Sequence, residues 1–405
     1  MSTTILEPGR LAHVKTAYTT RHVDLAGLAT LVDGDTVPRS GDLLLARVVE
    51  IGQHKKIERP TGRLATLFVG DEIVVCYGHR YAPDQFEAEV PESLATCHLV
   101  AGGGVASQVL AGHASMNPPT VLEPVGLLGD RGGCPVNLRD YALPHLPTSG
   151  PRPVTITVVG TAMNSGKTDA VAHLVRGLRL AGRRVGVAKV TGTGAGKDLW
   201  LMTDAGADPV LDFTSAGYPS TYHASTDEIE DIFSLLMGHL CAAGVDAIVL
   251  EVADGVYQQE TADLVTSRRF ADSVDGMLFA AGDALGAAAG VTWLQERGLP
   301  VVGVSGLLTA SPLAMREALE TIGLPVFGRG ELASPEIVAT LQEHLTARFP
   351  VGVSSNEAVP IRGSSEAPTA VGRSCGPLWE PDSRLSLPRS ADGGAAAATL
   401  NAEAI

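Results

Sequence analysis

The chain has 405 residues, enough for two or three domains with ample core. Its hydrophobic fraction of 45% with only 4% aromatics describes an Ala-, Val-, Leu- and Gly-rich α/β protein rather than a Tyr- and Trp-rich β module. A formal net charge of −15 argues against nucleic acid or an anionic membrane surface as the partner.

The N-terminal part opens with MSTTILEPGR, which carries no signal-type apolar stretch. Residues 41–77 then read as a small β unit: GDLLLARVVEIG, LATLFVG and EIVVCYG, punctuated by Pro60-Thr61-Gly62 and Gly70-Asp71. A β-rich domain, a small barrel or sandwich, is expected over 1–115. The triple glycine Gly102-Gly103-Gly104 follows no clear dinucleotide-binding arrangement. Residues 116–152, with NPPT, LGDRGGCP and PTSGPRP, are turn-rich and are expected to be a connection without regular elements.

From 153 the rhythm becomes strand–helix alternation. Strands are expected at 154–159, 185–190, 209–213, 246–252, 274–280, 300–305 and 325–327, with helices between them. Val171, Leu174, Val175 and Leu178 mark one helical face. Ser225 and Glu228 form a capping-box pair before a helix near 226–243, whose apolar face is Ile229, Ile232, Phe233, Leu236 and Leu240. Ser311-Pro312 and Ser334-Pro335 each place an N-cap before a first-turn proline. The expected fold class is α/β, a parallel sheet covered on both faces over 153–350, with ligands at the carboxyl ends of its strands. From 351 to 405 the periodicity stops and Ser, Pro, Gly and Ala dominate, so a disordered tail is expected. The five cysteines are scattered without a CxxC pair, and no apolar run reaches the length of a membrane span. Together these lead to the expectation of a soluble cytoplasmic protein without a zinc motif.

The chemistry concentrates at VTITVVGTAMNSGKT, residues 154–168. An apolar strand, a glycine, a short polar stretch and Gly166-Lys167-Thr168 leading into an amphipathic helix make a phosphate-binding loop. Backbone N–H groups and the helix N-terminus face the anion, Lys167 meets the outer phosphates, and Thr168 offers its hydroxyl to Mg²⁺. Gly160, Thr161, Asn164, Ser165 and Gly166 complete the expected cradle. Lysine use sharpens this: of 30 basic residues only six are lysine, and three of these (Lys167, Lys189, Lys197) adjoin glycine-rich loops in one segment. Lys189 closes the second strand before a stretch containing Gly192, Gly194 and Gly196 and then Lys197-Asp198. Glu251 ends a buried apolar strand and Asp254 follows it, the usual place for holding Mg²⁺ or its waters. A hydroxyl-rich loop from Asp212 to His223 is either a substrate contact or a turn-rich connection, and Tyr257–Thr261 either lines a pocket or starts a helix. Ser305-Gly306, at the end of a late strand, is positioned to touch the base, and no N-K-x-D base-reading motif is present.

These residues resemble the dethiobiotin synthetase and cobyrinic acid diamide synthase branch of P-loop proteins, the SIMIBI-type group. A looser likeness is to the molybdopterin-guanine dinucleotide biosynthesis adaptor. The nine-residue loop Gly160–Thr168 matches the branch's G-T-D-T-x-V-G-K-T in length and at both ends, with Thr161 where the standard spacing has its first glycine. Lys189 matches the lysine ending the second strand, with Val190 in place of the usual proline, and Leu250–Gly255 is similar to V-E-G-A-G-G with Glu251 aligned. The resemblance covers roughly residues 153–330. It implies an ATP- and Mg²⁺-dependent enzyme that phosphorylates a small carboxylate for ligation to an amine, with Lys167, Lys189 and Glu251 in catalytic roles and Thr168, Glu251 and Asp254 at the metal. Ala162 stands where the branch has an acidic residue, and no glutamine-hydrolysing Cys/His pair is evident, so a full diamide synthase is not expected. A nucleotide-binding adaptor or regulatory NTPase and a small-molecule kinase remain alternatives. The expected partner is a small molecule, not nucleic acid or a membrane, and a homodimer stays open.

Overall fold

The computed structural model describes residues 2–7, 9–147, 151–345 and 349; the expected disordered tail lies outside the described residues. The N-terminal strands are β1 (Ser2–Ile5), β2 (Lys15–Thr16), β3 (Thr30–Asp33), β4 (Leu43–Glu50), β5 (Lys56–Glu58), β6 (Leu64–Thr66), β7 (Glu72–Tyr77), β8 (Phe86–Glu89), β9 (Cys97–Ala101), β10 (Val105–Gly112) and β11 (Thr120–Gly129). Neighbours in the main sheet run β1-β3-β11-β4-β7-β10-β8, and β9 pairs with both β10 and β11. That double pairing closes β4, β7, β10, β9 and β11 into a five-stranded barrel. Alternation does the sorting: Leu44, Ala46, Val48, Ile73, Val75 and Tyr77 point into one core, while Leu43, Leu45, Val74 and Cys76 point into another.

The strand β11 corrects the expectation for residues 116–152. It is ten residues long and pairs antiparallel with β3, β4 and β9. Pro124 and Gly126 hide it in the sequence. They lie at a register irregularity against β4, where a bulge tolerates both residues and breaks the two-residue period.

The second sheet has six parallel strands, β12 (Val154–Gly160), β13 (Val185–Lys189), β14 (Val210–Asp212), β15 (Ala247–Glu251), β16 (Gly276–Ala280) and β17 (Val301–Ser305), in the order β14-β13-β15-β12-β16-β17. Around it lie α1 (Lys167–Leu180), α2 (Lys197–Asp204), α3 (Thr226–Ala242), α4 (Gln259–Thr266), α5 (Arg268–Ala271), α6 (Ala284–Gln295), α7 (Pro312–Ile322), α8 (Arg329–Leu332) and α9 (Ile337–Gln342). Both faces are covered. Val249 packs with Val171, Leu174 and Leu178 of α1, while Ile248 and Leu250 pack with Ile232, Phe233 and Leu236 of α3. The Ser225–Glu228 capping box and the Ser311 cap form as read. Ser334-Pro335 instead precedes α9, whose N-cap position is Glu336 with no side-chain capping bond, and the segment near 326 contributes one parallel bridge, Val304 to Val326, rather than a strand. Among the described residues no helix is long and apolar enough to cross a membrane.

Barrel and parallel sheet belong to one compact unit. Tyr18 donates to Asp212 Oδ2 at 2.7 Å, and Arg21 donates to Asp212 Oδ1 at 3.0 Å and to Thr214 Oγ1 at 2.6 Å. Glu58 accepts from the Gly196 N–H and the Trp200 indole, both at 2.8 Å. Gly103 meets Gly194 so closely that a Cβ on Gly103 would overlap the Gly194 carbonyl oxygen. The triple glycine is thus a close-approach surface. The hydroxyl-rich 212–223 loop takes part in this docking through Asp212 and Thr214, and Tyr222 donates to Glu87 of the barrel at 3.1 Å.

The buried Asp212 gives a pH test. Burial alone would raise its carboxyl pKa, but Arg21, Thr214 and Tyr18 together hold it below the usual value. A depressed carboxylate pKa adds stability above the unfolded pKa that is lost as pH falls through the folded one. Asp212→Asn is therefore expected to destabilise the protein at neutral pH, by about 3 kcal/mol for breaking a buried charge pair, and to narrow its gap to wild type below about pH 4. Urea midpoints of both proteins at pH 7 and pH 3.5 measure it; a gap that does not narrow in acid contradicts the assignment.

Candidate nucleotide site

The loop Gly160–Thr168 joins β12 to α1 at the carboxyl edge of the sheet. Gly166 caps α1 at φ 94°, and a Cβ there would stand 2.9 Å from Gly306 Cα, so the turn needs glycine. Gly160 is equally confined: a Cβ would meet Ser165 Oγ at 2.5 Å and the Ala280 carbonyl at 2.6 Å. Asn164 also adopts a left-handed φ, 63°, and its amide donates to Asp84 of the barrel at 2.8 Å. The Leu307 N–H donates to the Ser165 carbonyl at 3.0 Å and braces the loop from behind.

Lys167 is only 5% exposed, and its ammonium donates to the carbonyls of Ala162 (2.8 Å) and Asp254 (2.7 Å). Burial lowers its pKa, against the pull of Glu251 and Asp254. Thr168 Oγ1 donates to Glu251 Oε1 at 3.0 Å. Strand register sets Glu251 beside Val158 on one side and Lys189 on the other. The Lys189 ammonium lies 3.6 Å from Glu251 Oε1 and pairs closely with Asp198. For Lys189 burial favours the neutral form, but facing Asp198 and Glu251 overrides it and raises the pKa. Burial pushes the Glu251 carboxyl up, with Lys189 opposing, and burial likewise raises Asp254. Asp254 sits at φ 64°, a backbone turn held by Lys167 on its carbonyl.

Asn164, Gly166, Lys167, Thr168, Lys189, Glu251 and Asp254 all line one cleft of about 620 Å³, as do Lys197 and Asp198. Gly160, Thr161 and Ser165 form the back of the loop: the Thr161 N–H is bonded to the Ala280 carbonyl, and Ser165 is buried. Ser305 lies elsewhere. Its hydroxyl donates to the Phe327 carbonyl at 2.8 Å and the residue is 3% exposed, so Ser305 is a strut between β17 and the 326 segment rather than a base contact. Gly306 packs against the loop from behind. Gln258 and Thr261 cap and anchor α4, with Thr261 Oγ1 donating to the Ala253 carbonyl at 2.9 Å.

The residues fit a Mg²⁺-bound nucleotide. Glu251 Oε2, in the cleft wall, is buried without a hydrogen-bond partner, the condition expected of a group that awaits a ligand. Among the described residues no cluster of three or more His, Cys, Asp or Glu could hold a metal alone. Mg²⁺ sites use one or two protein oxygens plus phosphates and water, and Thr168 and Glu251 would supply those oxygens.

The sequence reading missed the opposite wall, which the barrel supplies through His54, Arg80, Tyr81, Gln85 and Gly102-Gly103. His54 offers a pH handle. Burial, helped by Arg80, pushes its imidazole down to about 4. A depressed histidine pKa means that the unfolded chain binds the extra proton, so stability falls as pH drops from about 6.5 towards 4. The expected loss attributable to His54 is about 3 kcal/mol. Urea titrations of wild type and His54→Gln over that window measure it, and parallel curves would count against it.

Strand, loop, left-handed glycine and buried lysine give this region the architecture of a P-loop α/β fold. Among solved structures the chain is similar to the signal recognition particle 54 kDa protein of Aeropyrum pernix K1 in complex with GDP (TM-score 0.34, 19% identity, 48% of this chain and 47% of that one). It is also similar to chloroplast FtsY of Physcomitrella patens (TM-score 0.31, 15% identity, 47% of this chain and 62% of that one). A third is a DUF1611 family protein of Anabaena variabilis (TM-score 0.36, 14% identity, 53% and 65%). The chain thus spans about half to two thirds of the length of these structures. No protein-family model and no curated protein matches the sequence.

Proposed function

We propose that the protein is a Mg²⁺- and ATP-dependent phosphoryl-transfer enzyme of ligase type, which activates the carboxylate of a small molecule for attack by an amine. The observation that carries this reading is the convergence of Lys167, Thr168, Lys189 and Glu251 on one cleft at the ends of three adjacent strands. Bound Mg–ATP would supply the phosphoryl group. Lys167 is placed to exchange its two carbonyl partners for phosphate oxygens. Lys189 stays fully charged and held by Asp198, a fixed cation towards which negative charge can develop. Thr168 and Glu251 hold the metal side. The barrel wall closes the cleft from the other side and limits water. ATP rather than GTP follows from the resemblance of the loop.

Phosphate release that requires both a small acid and an amine supports the ligase. Transfer without amine would replace it with a kinase, and slow hydrolysis stimulated only by a protein partner with a regulatory NTPase. Lys189→Ala is expected to lower kcat by about 10²-fold with nucleotide affinity within about threefold of wild type. Isothermal titration alongside steady-state turnover separates the two, and equal losses would reduce Lys189 to a ground-state contact.

A further inference from the structure

Arg80 is the most confined cation in the cleft that the phosphate-binding machinery leaves unused. It follows β7, on the barrel, and is 5% exposed, yet it lines the cleft opposite Lys167 and Asp254. One guanidinium nitrogen donates to the Val100 carbonyl and another to Gln85 Oε1 at 2.9 Å. Its Nε is buried with no hydrogen-bond partner. Among the described residues no carboxylate comes within ion-pair distance of it. Asp84 and Asp254 act on it only from further off; one Asp84 oxygen accepts from Asn164 of the loop and the other is buried without a hydrogen-bond partner.

A buried guanidinium without a paired carboxylate is unfavourable unless something else supplies negative charge. Burial, opposed by the more distant Asp84 and Asp254, brings its pKa down to about 10, which still leaves it charged at neutral pH. Neutral acceptors, a carbonyl and an amide, hold it in place without cancelling it. Its planar fork suits two-point binding of carboxylate or phosphoryl oxygens. Gln85 and Tyr81 line both this cleft and an adjoining cavity of about 290 Å³ on the barrel side, bounded also by Pro83, Glu87 and His113.

We propose that Arg80 is the oxyanion-recognition residue that the barrel contributes to the cleft, binding either the terminal phosphate of the nucleotide or the carboxylate of the acceptor. This rests on the nucleotide reading of the same cleft.

The test uses the full chain and the variants Arg80→Gln and Arg80→Lys. Mg–ADP and a non-hydrolysable Mg–ATP analogue are titrated calorimetrically, and a panel of small mono- and dicarboxylates is screened by thermal shift with Mg–ADP present. Wild-type Mg–ADP binding checks the underlying site: its failure removes the nucleotide reading, and this proposal with it. With that binding intact, Arg80→Gln is expected to keep Mg–ADP affinity within about threefold and to lose one oxyanion response. A loss of about tenfold or more for the triphosphate analogue alone identifies the terminal phosphate as the source. Unchanged nucleotide affinities with loss of the carboxylate-induced shift identify the acceptor. Where Arg80→Gln does not fold, Arg80→Lys decides, because it keeps the charge and loses the fork; about fivefold weakening on either probe supports the proposal. A folded variant that matches wild type on both probes overturns it and leaves the nucleotide site standing.

Discussion

Lys167→Ala is expected to remove nucleotide turnover, with an affinity loss of 10²-fold or more for the triphosphate, on the order of 3 kcal/mol. The fold should survive. In the free protein the ammonium is desolvated, with its pKa lowered by burial, so its removal takes away an unfavourable buried charge together with its two carbonyl contacts. These opposing effects leave an expected stability change of no more than about 1–2 kcal/mol. Calorimetric titration and thermal unfolding on the same preparation separate loss of ligand from loss of fold. Turnover at the wild-type level would sink the assignment of this loop, whatever the substrate.

The second large effect is steric and lies away from the phosphates. Gly103→Ala drives a Cβ into the Gly194 carbonyl oxygen, with Gly194 C at 2.8 Å and Ala195 Cα at 3.0 Å close behind. Every one of these is backbone, so no rotamer change relieves the clash. Barrel and loop must separate, at a cost of about 1–3 kcal/mol and several degrees of melting temperature. The displaced segment runs directly into Lys197 and Asp198, and Asp198 pairs with Lys189. Turnover should therefore fall further than nucleotide affinity. Gly330→Ala is the control, since a Cβ there meets nothing within 4 Å. Equal behaviour of the two variants in melting temperature and kcat would show that the glycine contact is not needed.

The parallel sheet was readable because its signals are local. Apolar β-branched runs alternate with amphipathic helices, and that rhythm already places Lys167, Lys189, Glu251 and Asp254 at one edge. What it could not carry was set by contacts distant in sequence. Arg80 reads as an ordinary surface arginine until Val100 and Gln85 are seen to bury it. Ser305 reads as a base contact until its hydroxyl is seen to donate to the Phe327 carbonyl. The strand β11 was masked by the proline and glycine that its bulge accommodates. Gly102–Gly104 follows no clear dinucleotide-binding arrangement, and the reason for Gly103 is a second backbone more than ninety positions along the chain.

The barrel closes through β9 onto β11, and β11 ends at Gly129, before the first strand of the parallel sheet begins at Val154. During synthesis, domains generally fold as units with the N-terminal one first. Every barrel strand has then been made before the phosphate loop exists, and the ring needs no later segment to complete its pairing. The segments around Gly194–Gly196 and Asp212, made later still, meet a finished surface that already holds Tyr18, Arg21, Glu58 and Gly103. The first third of the chain can in this way act as an assembly jig for the parallel sheet that follows.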